Sequence, residues 1–414
     1  MFIKLRKKYD FSNIRYCTFW FVVIQYMVYN CLRKCEFLGN LIYFDNSATT
    51  KPCKKAIEYM NNALEVNWGN PSSLHRLGIE AETVMESARQ TVAKFINADP
   101  REIIFTGSGT EANNTAIMSV AGKKWGKRVI TSKIEHPSVL ETVKRLENMG
   151  FEVVRLGASE NGVISLEELK NALNDKTVLV SLMLVNNEIG SVQPIKDASK
   201  IIKTLSPKAV FHCDAVQGFG KLPINVKELG VDLLTASGHK VFAPKGIGFL
   251  YCKKGVTVSP FITGGGQERG LRSGTESVPL ISALEGAVLS LPNTKEALEK
   301  QRELRDYAVE QFDKSGFIKV NSPKNALPYI INISVVGYRS EALLQFLERK
   351  NIFVSSGSAC AKGELSYVLS AVGLSKKEID SALRVSFNHG NTKEEIDALI
   401  SALKEATETL RRSN

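Results

Sequence analysis

Asp232-Leu-Leu-Thr-Ala-Ser-Gly-His-Lys240-Val-Phe-Ala-Pro-Lys-Gly-Ile-Gly-Phe-Leu-Tyr251 is two short apolar runs joined by a turn that carries a lysine. Asp232–Thr235 and Ile247–Tyr251 are too short for helices and read as buried strands. The same kind of run recurs upstream at Ile103–Thr106, Arg128–Thr131, Glu152–Leu156, Val178–Leu184 and Ala209–Cys213. Helical periods sit between several of them. Across 80–97, Val84, Met85, Ala88, Val92, Phe95 and Ile96 fall on one face. Ser165-x-x-Glu168 has the form of a capping box opening a short helix. Strands alternating with helices predict an α/β fold around a mostly parallel sheet.

Downstream, Ser290–Glu310 turns charged and helical and reads as a domain connection. A strand (Tyr329–Val335), a helix (Glu341–Lys350), a small-residue loop (Ser355–Gly363), a strand (Leu383–Phe387) and a last helix follow. Thr392-x-x-Glu395 caps that helix, whose Ile396, Leu399, Ile400 and Leu403 face one way. The pattern divides the chain into a large domain, 59–292, and a smaller one built from 41–58 with 293–414. No internal repeat is present.

Composition narrows the class. The 414 residues are 43% hydrophobic and 23% charged, as in ordinary globular proteins. The net charge is +11, but residues 1–40 hold seven Lys/Arg against Asp10 and Glu36. The remainder has no long basic block, so no nucleic-acid surface is expected. Seven cysteines with no CxxC pair speak for a reducing, cytoplasmic setting over a disulfide framework. Within 1–40, Tyr16–Leu32 is apolar and aromatic and lacks a cleavage-site pattern. It reads as an extension outside the fold, with translation starting near Leu41, as a partner-binding arm, or as an anchor. Its length is at the short limit for a membrane span, which makes the anchor the least favoured of the three.

Four segments can carry chemistry. Thr106-Gly-Ser-Gly-Thr-Glu-Ala-Asn-Asn114 joins a strand to a helix and offers free N–H groups to an anion. Alone it is equally a plain turn. Phe211-His-Cys-Asp-Ala-Val-Gln217 puts Asp214 at the carboxyl edge of a strand, where open α/β sheets bind ligands. Asp214 there is either a helix cap or a partner for a protonated ring nitrogen. Lys240, flanked by Val241 and Phe242, is expected to be partly desolvated, with a lowered pKa suited to a Schiff base. Cys360, in Ser355-Ser-Gly-Ser-Ala-Cys-Ala-Lys-Gly363, sits among small polar residues near Lys362, which suits a reactive thiolate. His136 follows a strand and precedes a helix, and can stack on a ring or move protons. Arg384, a charge inside a strand, forms either a salt bridge or a two-pronged carboxylate clamp.

Taken in order, these segments resemble the cysteine desulfurases of the NifS/IscS group, within the class V aminotransferases. Tyr43-Phe-Asp-Asn-Ser-Ala-Thr-Thr50, Gly69-Asn-Pro-Ser-Ser73, Val185-Asn-Asn-Glu-Ile-Gly190, Arg269-Gly-Leu-Arg-Ser-Gly-Thr275 and the Cys360 loop extend the likeness from Tyr43 to the end of the chain. The resemblance implies the aspartate aminotransferase-like fold of pyridoxal 5'-phosphate (PLP) dependent transferases, with a seven-stranded sheet in the large domain. It implies that Lys240 forms the Schiff base with PLP, Asp214 holds the ring nitrogen, and Gln217 meets the ring hydroxyl. His136 would stack on the ring and transfer protons. Gly109, Thr110, Ser237 and His239 would hold the phosphate. Thr275 would reach the phosphate in a partner subunit, making a homodimer. Asn187, beside the cofactor, and Arg384 would bind the substrate carboxylate.

The implied reaction takes L-cysteine to L-alanine and leaves the sulfur on Cys360 as a persulfide. An acceptor protein, such as an iron–sulfur scaffold or a tRNA-thiolation enzyme, would then receive it. No resident metal is implied, although Cys360 would be a transient ligand of a cluster shared with a scaffold. The loop looks like the NifS/IscS group more than the SufS-like one, but it is slightly shorter than usual. The chain also stops at Asn414, soon after its last helix, so the acceptor is left open. Cys360 in its loop argues against a lyase that frees sulfide or selenide without a persulfide.

Overall fold

The computed structural model describes residues 41–356 and 365–413. The readings made on residues 1–40 and on Cys360 lie outside the described residues. Twelve strands run in chain order: β1 (Ile42–Tyr43), β2 (Ile103–Thr106), β3 (Arg128–Ser132), β4 (Glu152–Leu156), β5 (Thr177–Met183), β6 (Val210–Asp214), β7 (Leu233–Ser237), β8 (Gly248–Cys252), β9 (Lys319–Val320), β10 (Ile330–Ser334), β11 (Ile352–Phe353) and β12 (Ala382–Ser386). A seven-stranded sheet has the order β2-β8-β7-β6-β5-β3-β4. β8 runs antiparallel to both neighbours, and the other pairs are parallel. All seven runs read from the sequence enter this sheet: Ile103–Thr106 and Glu152–Leu156 with the same ends, the other five with ends shifted by a residue or two. β5 is buried at every position, as expected of a parallel strand covered by helices on both faces.

The helix read at 80–97 spans Arg76–Phe95. It starts earlier because the His75 side chain accepts the Gly78 N–H and caps it. Ser165 caps Leu166–Ala172 by accepting the Glu168 N–H. The Glu168 carboxylate, however, turns to the Gly157 N–H, so only half of the expected box forms. Thr392 and Glu395 form theirs completely. Val278–Val288, apolar all round, is almost entirely buried and packs on Lys54–Glu65.

Two large cores result. One lies about the seven-stranded sheet and includes Ala56, Phe211, Phe219, Phe249 and Leu284. The other gathers β10, β12 and the helices Thr294–Ser315 and Lys393–Thr409 through Phe312, Ile331, Leu383, Val385 and Leu399. Phe44 belongs to this second core, because β1 pairs with β11. Residues 45–50 therefore run from one core to the other. Among the described residues no helix is long and apolar enough to cross a membrane.

Candidate active site

The carboxyl ends of β2, β3, β5, β6 and β7 open on a cavity of about 310 Å³, the position where open α/β sheets place ligands. Lys240 closes a single 3-10 turn, Gly238–Lys240, directly after β7. Its Nζ donates to the carbonyls of Ser47 (2.5 Å) and Ala48 (2.7 Å). Burial, with the nearby Arg384 charge second, lowers its pKa to about 8, against the opposing pull of Asp45 and Asp214. Asp214 ends β6 and is 5% exposed. Its carboxylate accepts from Asn113 Nδ2 (2.7 Å) and from the Val216 N–H (3.0 Å).

His136 caps the helix Pro137–Asn148, and its Nδ1 accepts the Ser138 N–H at 3.1 Å. That bond leaves the proton of the neutral ring on Nε2. The side chain is open to the cavity's water, yet enough protein crowds the ring that burial lowers its pKa; Asp214 opposes this and Lys240 adds to it. Behind it, Glu135 is wholly buried, and burial pushes its pKa up to about 8. Gly109 opens the helix Gly109–Met118, and Thr110 follows on the exposed first turn. A Cβ on Gly109 would lie 2.8 Å from Val216 Cγ2. Glycine thus lets the helix N-terminus close on the Asp214 turn.

Ser237 and His239 line the same cavity, and burial, followed by the Lys240 charge, lowers the pKa of His239 to about 4. Gln217 donates to the Ser47 carbonyl (2.9 Å) and accepts from Lys221 Nζ (2.9 Å). Asn187 lines the wall, and its Oδ1 is buried without a partner among the described residues. Arg384, 3% exposed, is ion-paired with Asp45 at 2.9 Å and donates to the Asn187 carbonyl at 3.0 Å. Arg384 therefore forms a salt bridge, and it also lines the cavity.

Thr275 is exposed and does not line the cavity of its own chain. It lies on a segment pinned by buried Glu268, which pairs with Arg89 at 2.9 Å and accepts the Phe105 N–H. Sequence reading missed Asn113, Asp45, Ser47 and Ala48 as individuals, although all fall within the quoted stretches. Lys221, Glu135 and Tyr367, whose hydroxyl donates to the Glu135 carbonyl, carried no signal.

The residues fit PLP. A deprotonatable amine faces the cavity for its aldehyde, a buried carboxylate for its ring nitrogen, and a helix N-terminus with Ser and Thr nearby for its phosphate. The buried oxygens Ser47 Oγ, Asn113 Oδ1 and Asn187 Oδ1 around the cavity lack partners among the described residues. The family model Aminotransferase class-V matches residues 42–399. The chain belongs to the class-V aminotransferase family. Among class-V relatives, the cysteine desulfurase IscS of Dictyoglomus turgidum is 41% identical over 377 residues, 89% of this chain and 95% of its own. The cysteine desulfurase IscS of Clostridium botulinum is 41% identical over 375 residues, 88% and 94% of the two chains. A solved structure described as a NifS-like protein superposes with a TM-score of 0.85 at 37% identity, covering 89% of this chain and 100% of the other. Within the family the chain falls in the NifS/IscS group and is a PLP-dependent enzyme.

Proposed function

We propose that this chain is a cysteine desulfurase that converts L-cysteine to L-alanine and takes the sulfur onto Cys360 as a persulfide. The observation that carries this is the Lys240 amine, with a pKa of about 8, facing the same cavity as Asp214, His136 and Arg384. Lys240, Asp214, Gln217, Gly109, Thr110, Ser237 and His239 would hold PLP. When bound, PLP supplies the electron sink for negative charge at the substrate Cα. Lys240 Nζ takes the Cα proton and returns it, as its lowered pKa allows near neutrality. His136 Nε2 serves proton transfer at the cavity mouth. Arg384 and Asn187 bind the substrate carboxylate, and the Asp45 pair holds the guanidinium in place for it. The Cys360 thiolate attacks the substrate sulfur, the Cβ–S bond breaks with its electron pair passing to the carbon fragment, and that fragment takes a proton at Cβ and leaves as alanine.

The persulfide then passes to an acceptor protein in iron–sulfur assembly or tRNA thiolation, in the cytoplasm. The active unit is read as a homodimer. Thr275 stands outside its own cavity, and Trp68 and Leu74 are apolar side chains left 65% and 95% exposed. Cys360→Ser tests the central claim. Alanine production from cysteine should be lost while the visible absorbance of bound PLP is retained. Unchanged turnover in that variant overturns the proposal.

A further inference from the structure

Lys221 has no part in the reaction described above, yet it is 7% exposed and its amine donates to Gln217 Oε1 at 2.9 Å. It borders a second, small cavity of about 10 Å³ that it shares with Lys240, Tyr329 and His389. Arg384 and His239 also interact with it electrostatically. None of these groups is a carboxylate. A lysine buried without a counter-ion is costly, and here burial, then Lys240 and Arg384, lowers its pKa to about 7.

Its geometry explains what the cost secures. A side-chain amide can sit either way round, and its partners decide which. The Ser47 carbonyl accepts only, so the Gln217 atom facing it is Nε2, at 2.9 Å. Lys221 Nζ donates to the other end of the amide at 2.9 Å, which is Oε1. With Oε1 occupied, the amide keeps its second N–H as the group it can offer to the cavity it lines. The Ser47 carbonyl also accepts from Lys240 Nζ, which ties the orientation of Gln217 to the place of the amine.

We infer that Lys221 is a positioning residue that acts through Gln217: together with the Ser47 carbonyl it grips the amide at both ends and holds its free N–H toward an ionised ring oxygen. This rests on the reading that Gln217 faces the PLP ring hydroxyl. Such a donor stabilises negative charge on that oxygen. Its loss therefore raises the pH midpoint at which the visible band of the bound cofactor changes.

The test measures that midpoint on holoenzyme carrying Lys221→Met, Gln217→Leu, both together, and Lys221→Arg. Lys221→Met should raise the midpoint by less than the roughly one unit expected of Gln217→Leu, because the Ser47 carbonyl still holds Nε2 while the donor loses its second anchor. On this inference the double variant matches Gln217→Leu alone, whereas a direct effect of the Lys221 charge on Lys240 would add a further shift in the double variant. Lys221→Arg, which keeps donors and adds no acceptor, should stay near the wild-type midpoint. An unmoved midpoint in Lys221→Met overturns the inference, even where its thermal stability changes. So do additive shifts in the double variant, and so does an arginine variant displaced as far as the methionine one. Absence of a visible band in wild-type protein supplied with PLP would instead sink the cofactor reading, and this inference with it.

Discussion

Lys240 rests its amine on the carbonyls of Ser47 and Ala48, and its burial beside the Arg384 charge sets when it can react. With the pKa lowered to about 8, the folded protein gives up this proton well before an ordinary lysine does. Capture of PLP by protein stripped of cofactor should accelerate about tenfold per pH unit below 8 and level off above it. Stopped-flow absorbance across pH 6–10 measures this, and a rate still climbing at pH 9.5 contradicts it. The sequence singled out Lys240 by its apolar neighbours Val241 and Phe242. The cause is not those neighbours alone: burial of the amine comes first and the Arg384 charge, 144 residues on, second, while the carbonyls that hold it lie at Ser47 and Ala48, 193 and 192 residues away. No local pattern encodes a contact of that range. Asp214 shows the same limit, since its partner Asn113 is 101 residues upstream. Lys221 gave no sign at all, because nothing near it in the chain separates it from a surface lysine.

At the level of strands and helices much more was readable. Seven apolar runs became the seven strands of one sheet, since burial on both faces demands continuous apolar stretches. Val278–Val288 escaped notice for the related reason that a helix buried all round shows no amphipathic period. Caps were read from single residues, and that is where Ser165 and Glu168 went half wrong: a carboxylate chooses among all nearby N–H groups. Gly109 sits at the most demanding junction of elements. Alanine there would bring its Cβ 2.8 Å from Val216 and 3.2 Å from the Ser237 Cβ, pushing the helix N-terminus away from the β6 and β7 ends. Gly109→Ala should cost about 1–3 kcal/mol of packing and weaken PLP binding by roughly ten- to a hundredfold. A fluorescence titration with PLP checks this, and unchanged affinity would count against a phosphate at this helix end.

For the whole molecule the question is which chain completes which site. Under the homodimer reading, Lys240 of one subunit works with Thr275 of the other. Lys240→Ala and Thr275→Ala subunits would each be impaired alone. Unfolded together and refolded as mixed dimers, they should yield one site with both residues intact. Desulfurase activity should therefore reappear on mixing, and its failure to do so would argue that each chain works unaided. The segment bearing Thr275 is held by the buried Arg89–Glu268 pair, so the residue offered to the partner is anchored to the core of the first subunit.

The run from Asp45 to Thr50 also has a consequence in time. Asn46 bonds to the Ser386 carbonyl across 340 residues, and β1 pairs with β11. On a ribosome adding about 5–20 residues per second, the chain waits roughly 17–70 s after making Asn46 before that partner exists. Lys240 is synthesised within this interval, with its carbonyl seat not yet fixed. The newborn enzyme should therefore become able to take up its cofactor only as its last segment emerges.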